Sequence, residues 1–176
     1  MKIDILSIEN KLKKILTVAR FRHSLNTRDV AVKLALKYGV DVNKALVAGL
    51  LHDCAKESKE QIKLDKASVV LHAFTGRKLA QEYFGIDDLE ILQAIESHVM
   101  GNENMSLLDK IVFVSDFIEK DRNFKGLDEI RILAEQDLDA VFKVVLMQKI
   151  KYLLDYNKVI CEDIIKTWNA LIVKNL

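Results

Sequence analysis

The chain has 176 residues and a mass of 20.1 kDa, half of them hydrophobic and 30% charged, which excludes a disordered or low-complexity protein and suits one domain. Lysine and arginine total 27 against 26 aspartates and glutamates, so the overall charge calls for neither nucleic acid nor a membrane as partner. There is no run of about 18 uncharged apolar residues to cross a bilayer, no signal-like segment behind Asp4 and, with only Cys54 and Cys161, no disulfide framework, so a cytoplasmic location is expected.

The chain has no proline and six glycines, too little turn chemistry for a many-stranded fold. The apolar spacing is helical instead. Residues 3–18 read as a helix leading into the first long one. There Ala31, Leu34, Ala35 and Tyr38 keep the i, i+3, i+4, i+7 pattern, and Gly39 stands where a glycine ends a helix. Asp41 or Asn43 caps the next helix, through Ala45 to Asp53. Residues 57–68 are polar and Lys-rich, a surface excursion. A helix over 74–84 stops at Gly85. Asp87 or Asp88 opens another through Ile91, Ile95 and His98, ending at Gly101. Ser106 caps the one through Ile111, Val114 and Ile118. A short helix over 127–134 follows, then a long one opened by Asp137, then a last one over 162–172. The expected fold is all-α, a single helical bundle of about seven to nine helices.

Four histidines, His23, His52, His72 and His98, each lie on or beside a predicted helix, near one of its ends. His52 is followed by Asp53, two polar residues ending the most apolar helix. Asp116 interrupts the apolar run Ile111 to Ile118. An ionised carboxylate on such a face is costly to bury unless it is paired or binds a cation. The helix dipole also opposes a negative charge at a C-terminus, and a divalent cation removes that objection. Imidazole and carboxylate without thiolate suit Fe, Mn, Co, Ni or Zn. Such an ion acidifies a bound water, which produces a hydroxide able to attack phosphorus or carbonyl carbon. From the residues alone, the chemistry is that of a metal-dependent hydrolase.

The ordered set His23, His52-Asp53, His72, His98, Asp116 resembles the HD superfamily of metal-dependent phosphohydrolases. Arg20 to Leu25, Leu50 to Lys56, Leu71 to Ala73 and Met105 to Ile111 resemble its YqeK-type branch, the symmetrical diadenosine-tetraphosphate hydrolases. The similarity runs over about 16–171, with 1–15 as a helical extension of a single HD domain. The resemblance implies that His23, His52, Asp53 and Asp116 are core metal ligands, that His72 and His98 complete a second site, and that Asp53 faces both. It implies one or two divalent ions, iron before Mn, Co, Ni or Zn, and a metal-bound hydroxide cutting diadenosine tetraphosphate into two ADP. Asp53 and Lys56 then serve catalysis. Arg20, Lys56, His72, His98, Arg122, Ile160 and Cys161 contact substrate, and the chain pairs as a homodimer.

The three cations have a physical role there, since a tetraphosphate carries about four negative charges that metals alone leave partly unpaired. The chain departs from the branch at Val99-Met100, where a threonine is usual after His98. It departs also at Ile118 to Arg122, which lacks a proline after the Glu, and at Cys161 to Ile164, in place of a His-Pro-x-Thr pattern. Two alternatives stay open: an HD phosphohydrolase of a mononucleotide, and a non-catalytic nucleotide-binding module. Cys54 reads as a small buried residue, and Tyr152, Tyr156 and Trp168 as packing.

Overall fold

Helix boundaries follow local chemistry. In the computed structural model, which describes residues 4–57 and 68–173 (backbone alone for 68–70), the described residues form nine α-helices and no strand. α1 (Ile5–Ile15) starts where Asp4 accepts the Ser7 N–H. It ends short of the expected residue 18, because Thr17 accepts the Arg20 N–H and opens α2 (Val18–Tyr38). Gly39, at φ +68°, closes α2 in the left-handed region that a side chain resists. Asp41, not Asn43, caps α3 (Val42–Leu51) by accepting from the Asn43 and Lys44 N–H groups. α3 stops before His52 and Asp53, which lie in the turn beyond it rather than inside the helix.

α4 (Ser68–Glu82) begins at Ser68 instead of Phe74, which places His72 within a helix. Residues 58–67 of the expected surface excursion lie outside the described residues. α5 (Leu89–Ser97) is capped by Asp88 and ends one residue before His98. α6 (Leu107–Ile118) opens on a reciprocal capping box between Ser106 and Asp109. α7 (Leu127–Ala134), α8 (Leu138–Asp155, capped by Asp137) and α9 (Glu162–Val173) lie where the periodicity puts them.

α6 is the hub and packs on α2, α3, α5, α7 and α8. Its Ile111, Val112, Phe113 and Val114 are fully buried with Leu34, Leu50, Leu92 and Phe142, and the Phe113 and Phe142 rings meet edge to face at 5.1 Å. Ile8, Leu12 and Leu16 join the same core. α2 and α3 approach closely at Gly49, where a Cβ would stand 3.0 Å from the Arg28 Cα and 3.1 Å from the Ala31 Cβ. That packing sets His23 of α2 beside His52 at the end of α3. α9 is tied to the end of α5 through Thr167 Oγ1, which donates to the Met100 carbonyl at 2.9 Å.

Candidate metal centre

Residues far apart in sequence converge at one end of the α2–α6 bundle. His23 Nε2 lies 3.1 Å from His52 Nε2 and 3.2 Å from Asp116 Oδ1. Asp53 Oδ2 lies 3.8 Å from His23 Nε2 and 3.7 Å from His52 Nε2. On its other side, Asp53 Oδ1 lies 3.2 Å from His72 Nε2 and 3.4 Å from His98 Nε2, and those two nitrogens are 3.3 Å apart. Asp53 is thus shared by two donor triads, His23-His52-Asp53 and Asp53-His72-His98, all five residues buried. Asp116, its side chain 16% exposed, borders the first triad.

Hydrogen bonds orient the rings. His52 Nδ1 faces the Gly49 carbonyl at 2.8 Å and His98 Nδ1 the Ile95 carbonyl at 2.7 Å. A carbonyl only accepts, so each Nδ1 carries the proton and each Nε2 offers a lone pair. His23 Nδ1 faces Glu119 Oε1 at 3.2 Å and its Nε2 faces Asp116 Oδ1 at 3.2 Å, so both of its nitrogens have a carboxylate to donate to. The His52 lone pair faces His23 Nε2 at 3.1 Å. Burial holds the His52 ring neutral, pushing it down to about 3, and lowers His72 as well. For His23, burial opposes protonation, but the Asp116, Asp53 and Glu119 carboxylates outweigh it and raise the ring. Burial also resists the Asp53 charge, yet the facing imidazoles of His52, His72 and His98 hold the carboxyl well below the usual range. Asp53 Oδ1 is fully buried and makes no hydrogen bond of acceptable geometry. Imidazole nitrogens, ionised carboxylates and an orphaned buried oxygen are what a divalent ion fits.

The surrounding contacts include residues not anticipated from sequence. Glu119 is buried, and besides its His23 contact its Oε2 accepts from Asn26 Nδ2 at 3.0 Å and from the Asp121 N–H at 2.7 Å. Arg131 of α7 donates to the Ile118 carbonyl at 3.0 Å and the Glu119 carbonyl at 2.8 Å, satisfying the end of α6. Glu119 directly follows the apolar run Ile111 to Ile118, a position that gives no sign of burial in the sequence. Lys149 of α8 donates to the His98 carbonyl at 2.8 Å and lies 3.6 Å from Asp116 Oδ2. Burial lowers this ammonium to about 8. Its helix reads as ordinary core spacing, so nothing in the sequence separates it from surface lysines.

A cavity of about 590 Å³ opens on the cluster, lined among others by Arg20, Lys56, Arg122, Phe124, Lys149 and Tyr152. Arg20 Nη1 pairs with Asp53 Oδ2 at 2.7 Å, Arg122 Nη2 with Asp116 Oδ1 at 2.9 Å, and Lys56 Nζ lies 3.1 Å from His72 Nε2. All three anticipated phosphate contacts thus border the cluster. Val99 and Met100 also line the cavity. Ile160 and Cys161 are not among the residues lining it; both are half-buried and packed on the core. Tyr152 lines it and is exposed, as is Tyr156, 4.7 Å from the Tyr152 ring. Trp168 packs on the core. Cys54 is buried, its thiol pushed up by burial and donating to the Gly76 carbonyl.

Fold and cluster together define a helical protein with a divalent-metal centre of histidines and aspartates. The HD domain model matches residues 20–121, and the chain belongs to the HD domain family. A protein of Halalkalibacterium halodurans named "Bis(5'-nucleosyl)-tetraphosphatase, symmetrical" is 36% identical, over 93% of this chain and 94% of its own length. A Bacillus subtilis protein of the same name is 34% identical over 92% and 94%. The crystal structure of an HD superfamily hydrolase of Clostridium acetobutylicum, described as involved in NAD metabolism, superposes with a TM-score of 0.90 at 36% identity, covering 97% of this chain and 98% of that one. Among the described residues no helix is long and apolar enough to cross a membrane.

Proposed function

We propose that the protein is a metal-dependent hydrolase of diadenosine tetraphosphate that cuts the central phosphoanhydride with one water and releases two ADP. The observation that carries this reading is the double triad on Asp53, with cations bordering both ends of the cluster: Arg20 at Asp53 and Arg122 at Asp116. An extended polyphosphate needs positive charge on both sides of the scissile bond. The names borne by the two relatives support the same substrate.

His23, His52, Asp53 and Asp116 would hold one ion, and Asp53, His72 and His98 a second, with iron the favoured metal. A bound divalent ion supplies Lewis acidity and acidifies water toward neutral pH. Asp53 holds the two triads in register. The Gly49 and Ile95 carbonyls fix the ring tautomers of His52 and His98, which present unprotonated Nε2 atoms, and Glu119 orients the His23 ring. Arg20, Lys56 and Arg122 bind non-bridging phosphate oxygens and offset the charge that builds on the departing ADP. His72 and His98 border that phosphate path; Ile160 and Cys161 lie outside the lining of the cavity. The reading treats residues 16–171 as one HD domain with 1–15 as its extension, in a cytoplasmic homodimer.

Product analysis tests it. Iron- or manganese-loaded protein is incubated with diadenosine tetraphosphate beside an Asp53→Ala control, and the nucleotides are separated. ADP as sole product, absent from the control, is expected; ATP plus AMP, or no product from protein of verified metal content, overturns it. A mononucleotide substrate is the second reading, motivated by the altered Cys161 to Ile164 segment, and a panel of nucleoside di- and triphosphates and cyclic nucleotides at equal metal loading separates the two.

A further inference from the structure

Lys149 lines the cavity from α8, a helix that carries none of the six candidate ligands. Its ammonium stands 3.8 Å from the centroid of the Phe113 ring, donates to the His98 carbonyl at 2.8 Å and lies 3.6 Å from Asp116 Oδ2, with the side chain 17% exposed. Taking an ammonium out of water is costly unless anions or dipoles replace the water. The compensation here is incomplete. At 3.6 Å the contact with Asp116 Oδ2 is beyond hydrogen-bond length, while Arg122 at 2.9 Å and His23 at 3.2 Å both take the other oxygen, Oδ1. An ammonium has three donors, and one is spent on His98. A methionine would fill the space beside Phe113 without the penalty. The charge stands on a wall that shares one cavity with Arg20, Lys56 and Arg122.

We propose that Lys149 is a fourth phosphate-binding residue, which takes a non-bridging oxygen of the substrate's polyphosphate on the Asp116 side of the cluster. The proposal rests on reading the site as one for nucleotide polyphosphates. The His98 carbonyl and the Phe113 face hold the ammonium in place before substrate arrives, which limits the ordering cost of binding. Because this cation sits beside Asp116 while Arg20 sits beside Asp53, it strengthens the hold on one half of the polyphosphate rather than on both.

The test uses Lys149→Met and Lys149→Arg in metal-loaded protein of verified equal metal content, with ADP and adenosine as calorimetric probes. Lys149→Met is expected to weaken ADP binding about tenfold, the size of one charge-assisted hydrogen bond, and to leave adenosine binding unchanged. KM for diadenosine tetraphosphate rises by a similar factor with a smaller change in kcat, and Lys149→Arg restores most of the loss. Unchanged ADP affinity overturns the proposal, and so does an equal loss for ADP and adenosine, which would mark a distorted cavity. Loss of metal in both variants overturns it too. Should the Met variant not fold, Lys149→Gln carries the same comparison. The ADP arm needs no turnover: ADP binding that depends on Lys149 in a protein inert toward diadenosine tetraphosphate sinks the proposed activity and leaves Lys149 standing, and the reverse pattern does the opposite.

Discussion

The α2–α6 wall of the cavity presents buried imidazoles and carboxylates whose outward atoms are held by backbone carbonyls and by Glu119, whereas the α8–α9 wall presents Gln148, Lys149, Tyr152, Leu153 and Ile164, with Tyr152 54% exposed. The contrast follows from what each wall must do. A metal ion needs nitrogens and oxygens fixed to within tenths of an ångström, which takes rigid helix ends and second hydrogen bonds. A polyphosphate and its nucleosides need charge, stacking faces and room, which single side chains on a partly open helix supply.

The sharpest way to break this contrast is Asp53→Ala. It removes the residue common to both triads, so turnover should fall roughly 1,000-fold or more and bound metal should drop with it. Near-normal metal content with lost turnover would show that the walls do not divide as described. A lesion deep in the core should do the converse. Leu34→Ala is expected to cost about 2–5 kcal/mol, read as a lower midpoint in denaturant, while kcat of the folded protein holds.

Glu119→Gln tests whether the ligand wall depends on its outer hydrogen bonds. Metal affinity or kcat should fall about 10- to 100-fold while ADP affinity at saturating metal stays near that of the parent protein; no change would reduce Glu119 to a helix-end group. Acid probes the same wall in chelator-treated protein. His52 is held near 3 against an ordinary 6.5, so between those values the unfolded chain binds a proton that the folded one refuses. Stability is full above about pH 6.5 and falls as pH drops through that window. His72 acts in the same sense and His23, which is raised, in the opposite one. Asp53 and Asp116 add a loss only below the ordinary carboxylate value of 3.8. Thermal unfolding from about pH 7.5 to 5 should show a falling midpoint, and a flat profile would contradict a buried neutral His52. The smallest effect belongs to Cys161→Ala. With Cys161 outside the lining of the cavity, KM for diadenosine tetraphosphate should stay within about twofold.

Much of the ligand wall was legible before any coordinates. His52-Asp53 at the end of an apolar helix and Asp116 inside another are polar residues in places where burial forbids them unless something compensates. Glu119 obeys the same rule but follows its helix, where an acid passes for a surface residue; its side-chain partners Asn26 and His23 lie far away in sequence on α2. The second wall was harder to see. Lys149 has the spacing and company of any half-exposed lysine, and Tyr152 that of a packing residue. Ile160 and Cys161, expected at the nucleoside, are not among the residues that line the cavity.

By itself the amino-acid sequence determined the local outcomes: helices from apolar spacing, their starts at Ser106 and Asp137 and, to within two residues, at Asp41 or Asn43 and at Asp87 or Asp88, the stop at Gly39, and the donor types that select a divalent ion. These depend on residues within a turn or two of each other. Tertiary structure alone decided that α2 and α3 close at Gly49 so that His23 meets His52, that one carboxylate serves two triads, and that α8 brings Lys149 to the cavity. Those outcomes depend on how whole helices pack, and packing is the sum of many weak contacts between residues that no local pattern pairs.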